Sequence, residues 1–84
     1  MYYVYMIRCE DNSFYTGYTT NVVRRFKQHC EGKGAKYTRS HKPLKVVLVK
    51  EFKDKSSVLK EECRIKKLRK SEKEYLVLAE RFNS

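Results

Sequence analysis

The 84-residue sequence has no tryptophan, one proline, three glycines and three cysteines, and its 10 acidic side chains are half as many as its 20 basic ones. Each scarcity excludes something. Cys9, Cys30 and Cys63 are odd in number, far apart and match no zinc spacing such as Cys-x2-Cys, so they read as reduced thiols in a cytoplasm rather than a disulfide or zinc scaffold. The longest purely apolar stretch, Val46-Val47-Leu48-Val49, falls far short of the ~20 residues that cross a bilayer, and Met1 leads straight into a strand-like run without a signal-peptide pattern. No phosphate-binding glycine loop, Gly-x-Ser-x-Gly elbow or His-Glu-x-x-His zinc motif occurs. With no heptad repeat, no protein partner is evident and a monomer is expected.

Hydrophobic residues make up 40% of the chain and aromatics 13%, too much for a disordered basic tail. So short a chain buries only roughly two-thirds of its unfolded surface, which allows one domain, residues 1–82, and a shallow site. The formal net charge is +10. Between Asn21 and Lys50 nine cations face one anion, giving +8 in 30 residues, while the other 54 carry +2. That clustering is the footprint of a polyanion partner, for which nucleic acid is the usual cytoplasmic choice; a solvated basic face is the plainer alternative. A membrane surface fits less well, because no helix joins a basic face to exposed aromatic anchors.

Residues 2 to 8 and 14 to 20 are two aromatic and β-branched runs separated by the turn-forming Glu10-Asp11-Asn12-Ser13, which predicts an antiparallel hairpin. Thr20 or Asn21 can cap a helix with Val22, Phe26 and Cys30 on its apolar stripe and Arg24, Arg25, Lys27 and His29 on its other sides, ended by Gly32 and Gly34. A basic connection, 35 to 43, leads to a third strand from Leu44 to Phe52, apolar enough for the middle or the well-covered part of a sheet. Two helices follow, one to Arg69 or Lys70 and one opened by a Ser71 to Glu74 capping box and ending near Phe82. The fold class is α+β: a small three-stranded antiparallel sheet flanked by helices, in the order β-β-α-β-α-α.

Several side chains could carry chemistry. Tyr3 and Tyr5 share one face of the first strand, and the hairpin brings Tyr15 near them; packing is the ordinary use of such tyrosines. Gly17 inside the second strand weakens it unless another group approaches the backbone, which hints at a site beside Tyr15. Arg25 and His29, one helical turn apart, could aim a guanidinium and an imidazole at one phosphate or could simply be solvated. Cys30 adjoins His29 but sits on the apolar stripe and reads as core. In the helix from Val58 to Leu68, the apolar positions Val58, Leu59, Cys63, Ile65 and Leu68 define a direction from which Glu62 lies about 25° and Glu61 about 75°. A carboxylate so placed needs a cation or a hydrogen-bonded partner. Glu62 is a metal-ligand candidate, and an ion-paired buried Glu is the alternative.

The order of these features resembles the GIY-YIG nuclease superfamily, in particular its small, stand-alone, uncharacterised bacterial members. Tyr3-Val4-Tyr5 is similar to the first signature tripeptide and Tyr15-Thr16-Gly17 to the second, with Tyr3 in place of a glycine and Thr16 in place of an isoleucine. Arg25 follows Tyr15 by ten residues, where the family keeps its catalytic arginine, and His29 stands one turn on. Gly34-Ala35-Lys36-Tyr37-Thr38-Arg39 and Ile65-Lys66-Lys67-Leu68 are similar to the stand-alone subfamily.

The resemblance implies a metal-dependent endonuclease that hydrolyses DNA phosphodiester bonds with low intrinsic sequence preference, in DNA repair or recombination. It implies one divalent cation, magnesium or manganese, on Glu62. Arg25 would stabilise the phosphate, with Tyr5 as base, Tyr15 as its partner and His29 as a further catalytic residue. Tyr3 and Gly17 would shape the site. Arg24, Lys27, Lys33, Lys36, Tyr37, Arg39 and Lys42 would hold nucleic acid, chiefly through phosphates. A non-catalytic module binding DNA or structured RNA, or a subunit that needs a targeting partner, remains the alternative.

Overall fold

In the computed structural model, backbone is described for residues 1–83 and side chains for residues 1–80. Strand β1 (Tyr2–Cys9) and strand β2 (Phe14–Thr19) form the expected hairpin, and helix α1 (Val22–Cys30) follows. A short helix α2 (Lys36–Ser40), strand β3 (Pro43–Phe52), helix α3 (Lys55–Lys66) and helix α4 (Lys70–Asn83) complete the order. The sheet runs β2-β1-β3 with both pairings antiparallel.

Local chemistry sets the element boundaries. The hairpin turns through Asn12 at φ 70°, a left-handed conformation that asparagine tolerates, and the Asp11 carboxylate accepts from the Ser13 backbone and hydroxyl. Asn21 caps α1 by accepting from the Arg24 N–H at 3.0 Å, and Asp54 caps α3 by accepting from the Ser57 N–H at 2.7 Å. At α4 the expected capping box is displaced by two residues. There the Glu72 carboxylate reaches back to the Arg69 N–H at 2.9 Å, and Glu74 instead takes a two-pronged contact from Arg8 on β1, 2.7 and 3.1 Å.

Alternation along β1 divides the interior in two. Val4 and Met6 face one way, into Leu48, Val58, Ile65 and Val77 under α3 and α4. Tyr5, Ile7 and Cys9 face the other way, toward Val22 and Phe26 of α1 and Tyr37 of α2. β1 is therefore the central strand, not β3, which lies at the sheet edge with Leu44 55% and Val49 46% exposed. The apolar run of β3 has another cause. Its register skips Val47 between the pairs Ile7 with Val46 and Met6 with Leu48, so Val46 serves one core while Val47 and Leu48 serve the other.

Two further expectations fail. Residues 35 to 43 are not all connection, since α2 lies within them, too short to show a helical period. Cys30 and Cys63, both expected on buried faces, are exposed, and only Cys9 is buried.

Candidate active site

The stripe of α1 continues from Val22 and Phe26 to His29 rather than to Cys30. His29 is 1% exposed, which corrects its placement off the apolar stripe and rules out the solvated reading. Both ring nitrogens are engaged: Nε2 lies 2.8 Å from the Tyr5 hydroxyl and Nδ1 2.6 Å from Thr38 Oγ1. Thr38, 2% exposed, in turn donates to the Ala35 carbonyl at 2.9 Å. A Cβ at Gly34 would fall on the imidazole, so the glycine lets the chain after α1 fold against the ring. Burial, with the nearby Arg25 charge, lowers the His29 pKa to about 4, and the ring is neutral at pH 7.

Tyr5 stands opposite Gly17 in the sheet register. A Cβ at Gly17 would lie 2.8 Å from the Tyr5 oxygen and 3.1 Å from the Tyr15 ring, which explains an otherwise unfavourable glycine in β2. The Tyr5 and Tyr15 ring centres are 6.3 Å apart, and Tyr15 is 5.0 Å from His29. Tyr15 then stacks on Tyr37 at 6.0 Å and Tyr37 on His41 at 4.1 Å. Burial foremost, then Tyr15, pushes the Tyr5 pKa up to about 12; Arg25 opposes the rise through hydrogen bonding and charge, and Glu62 adds to it. Tyr15, Arg25, His29 and Glu62 thus each lie within electrostatic, hydrogen-bond or ring contact of Tyr5. Tyr3, half-buried, sits next to this group in β1, and the Arg25 guanidinium donates to Gln28 Oε1 at 3.0 Å.

The inner face of α3 differs from the one expected. Val58 and Ile65 are buried while Leu59 and Cys63 point outward, so Glu61 and Glu62 lie about 50° to either side of the inward direction at ~100° per residue. Their surroundings distinguish them. Both oxygens of Glu61 are held, by Arg64 at 2.7 and 2.9 Å and Lys50 at 2.8 Å, and chiefly the Arg64 hydrogen bonds lower its pKa to about 2. Glu62, with its side chain 16% exposed, meets only Lys66 at 3.4 Å among the described residues. It is the carboxylate free to accept another cation.

Arg24, Lys27, Lys33, Lys36, Arg39 and Lys42 are all exposed. Arg39 and Lys42 border an open depression of about 560 Å³, lined also by His29 and Thr38 and shared with Glu10 and Glu31. Thr38 lay within the Gly34 to Arg39 stretch quoted from sequence, but its burial against His29 was missed. Its signal was the single threonine between Tyr37 and Arg39 in a polar stretch, which carries no period that would mark it as buried.

A family model of the GIY-YIG catalytic domain matches residues 1–75. The chain belongs to the GIY-YIG family. A UPF0213 protein of Oceanobacillus iheyensis is 51% identical over 76 residues, 90% of this chain and 88% of that one. A UPF0213 protein of Natronomonas pharaonis is 47% identical over 79 residues, covering 94% and 93% of the two chains. The solution structure of a UPF0213 protein from Bacillus halodurans aligns with a TM-score of 0.61 at 46% identity over 94% of this chain and 85% of that one. The GIY-YIG domain points to a nuclease family, and the three-stranded sheet with flanking helices is shared with the solved relative.

Within this family frame the two departures from the signature differ in their physical consequences. Tyr3 replaces a glycine without entering the Tyr5 contacts. Thr16, 4% exposed, brings a hydroxyl that has no partner among the described residues, a cost an isoleucine would not incur. As for a metal, no cluster of three His, Cys, Asp or Glu occurs among the described residues. A single carboxylate such as Glu62, engaged only by the long Lys66 contact among the described residues, suits a hard divalent cation that keeps waters and takes phosphate oxygens for its other ligands. No helix among the described residues is long and apolar enough to cross a membrane.

Proposed function

We propose that the protein is a metal-dependent endonuclease that hydrolyses DNA phosphodiester bonds with little intrinsic sequence preference, as a cytoplasmic monomer serving DNA repair or recombination. The observation that supports this reading is the surroundings of Tyr5: Gly17 and Tyr15 beside its ring and hydroxyl, His29 2.8 Å from its oxygen, and the Arg25 and Glu62 charges within electrostatic reach. A divalent cation, magnesium or manganese, held by Glu62 would supply Lewis-acid polarisation of the phosphate and its leaving oxygen.

The chain's own residues divide the remaining work. Tyr5 is no free phenolate at neutral pH, with its pKa pushed up to about 12. It need not be one. The Tyr5 hydroxyl already contacts His29 Nε2, so it can pass its proton there as its oxygen takes a proton from the attacking water. Neutral His29 has the lone pair for this step, and an incoming phosphate favours the imidazolium that forms. Arg25 stabilises the negative charge that grows on the phosphate oxygens. Tyr15 packs against both Tyr5 and His29 and limits their motion. The exposed Arg24, Lys27, Lys33, Lys36, Arg39 and Lys42 hold backbone phosphates, and Tyr37 offers a partly open ring.

The test is cleavage of end-labelled single-stranded, duplex and branched DNA with magnesium, manganese or chelator, comparing wild type with Arg25→Ala and Glu62→Ala. Products are expected only with the metal and only from the wild type, each variant losing at least roughly a hundredfold in rate while staying folded. Unchanged cleavage by both variants overturns the assignment. Intact DNA that is nonetheless retarded on a gel replaces it with a binding module or a subunit that needs a targeting partner.

A further inference from the structure

A neutral imidazole carries one proton and can place it on either nitrogen. At His29 the choice has consequences. If Nδ1 bears the proton, it donates to Thr38 Oγ1 across 2.6 Å, and the Thr38 hydroxyl donates onward to the Ala35 carbonyl at 2.9 Å. Nε2 is then a bare acceptor. The Tyr5 hydroxyl, 2.8 Å away, must donate to it, and Nε2 then takes none of the lone pairs of the Tyr5 oxygen. If Nε2 bears the proton, it donates to the Tyr5 oxygen and occupies one of those lone pairs. The vacated Nδ1 would still have a donor available, because the Ala35 N–H lies 3.4 Å from it. Both arrangements are therefore within reach of the same heavy-atom positions.

The Thr38 hydroxyl decides between them. It can donate to Nδ1 only by abandoning the Ala35 carbonyl; by accepting from Nδ1 it keeps both short bonds, 2.6 and 2.9 Å, at the cost of the long 3.4 Å contact from the Ala35 N–H. His29 and Thr38 are 1% and 2% exposed, so at Nδ1 the Thr38 hydroxyl at 2.6 Å is the near partner. The close approach of Gly34 to the ring keeps the imidazole from rotating away.

We infer that Thr38 is a positioning residue that acts on Tyr5 through His29, by fixing the imidazole proton on Nδ1 so that Tyr5 donates to Nε2. The inference rests on the nuclease reading for its catalytic consequence, but not for the state of the ring. That state is read by nitrogen NMR of the histidine side chains in the intact protein near pH 7, for wild type, Thr38→Ser and Thr38→Val, alongside kcat and KM on cleaved DNA. Amide spectra check that each variant folds.

The wild type and Thr38→Ser are expected to carry the proton on Nδ1, with similar kcat. Thr38→Val, nearly the same shape but without a hydroxyl, is expected to move it to Nε2 and to lower kcat roughly tenfold or more with KM unchanged. A wild type protonated on Nε2 overturns the inference without any variant. So does a folded Thr38→Val that keeps the proton on Nδ1, or one that moves it and cleaves as fast as the wild type. A wild type that cuts no DNA removes the nuclease reading and the catalytic role together, and the ring-nitrogen pattern then still tells whether Thr38 sets the tautomer.

Discussion

Val4 and Met6 on one face of β1 and Tyr5 on the other are equally hidden from water, yet they are buried in different company. The first pair meets Leu48, Val58, Ile65 and Val77, side chains with no polar group to satisfy. Tyr5 meets an imidazole, and beyond it a threonine and a backbone carbonyl, each usable only if the next is in place. The apolar face is held by area and tolerates approximation, because hydrophobic burial has no direction. The polar face depends on direction, and a single missing partner leaves a buried donor or acceptor unpaired. Strength is concentrated on one side of the strand and chemistry on the other.

The largest effect should come from the apolar side. Ile65→Ala, at a fully buried position, is expected to lower unfolding stability by roughly 2–5 kcal/mol in denaturant melts while leaving the Tyr5 to His29 contact intact. A loss below about 0.5 kcal/mol would mean that α3 is not the main support of that core.

Acid should break the polar side first. The folded His29 has a pKa of about 4, against 6.5 for the ordinary group, so the unfolded chain takes up the proton before the folded one does. Stability from this group is complete above about pH 6.5 and is lost as the pH falls toward 4, on the order of 3 kcal/mol in all. Glu61, depressed to about 2, extends the decline below pH 4.5. Denaturant midpoints between pH 7 and pH 4.5 should therefore fall in the wild type and hardly move in His29→Gln. Equal slopes in both would show that the ring is not held neutral.

The smallest change in stability should discriminate most sharply in activity. Gly17→Ala places a methyl against the Tyr5 oxygen, and relieving that contact costs roughly 1–3 kcal/mol. Tyr5 must then move off His29, so cleavage should fall far more than stability does. A Gly17→Ala protein that cuts DNA at the wild-type rate would show that the close approach has no catalytic purpose.

Much of this was legible in the residues. The hairpin, the Asn21 cap of α1, the Tyr15 to Arg25 spacing and the reason for Gly17 all follow from local chemistry or short periodicities. Other features were hidden for stated causes. His29 and Cys30 are neighbours about 100° apart on α1, and the apolar cysteine looked the better inward residue until the Tyr5 hydroxyl supplied a partner for the histidine. Leu59 and Cys63 skewed the inferred face of α3, and so made Glu61 look more peripheral than it is. The five residues of α2 are fewer than a hydrophobic period needs to show.

The sequence by itself determined the family, the element order around the hairpin and the identity of the candidate catalytic side chains, because these rest on residue type and on spacings of a few positions. Only the tertiary structure decided that β1 is central, that Glu61 is consumed by Lys50 and Arg64 while Glu62 is not, and that Thr38 stands behind His29. Those are matters of which distant groups share one desolvated space, where a partner's presence within about 3 Å reverses the cost of burying a polar atom.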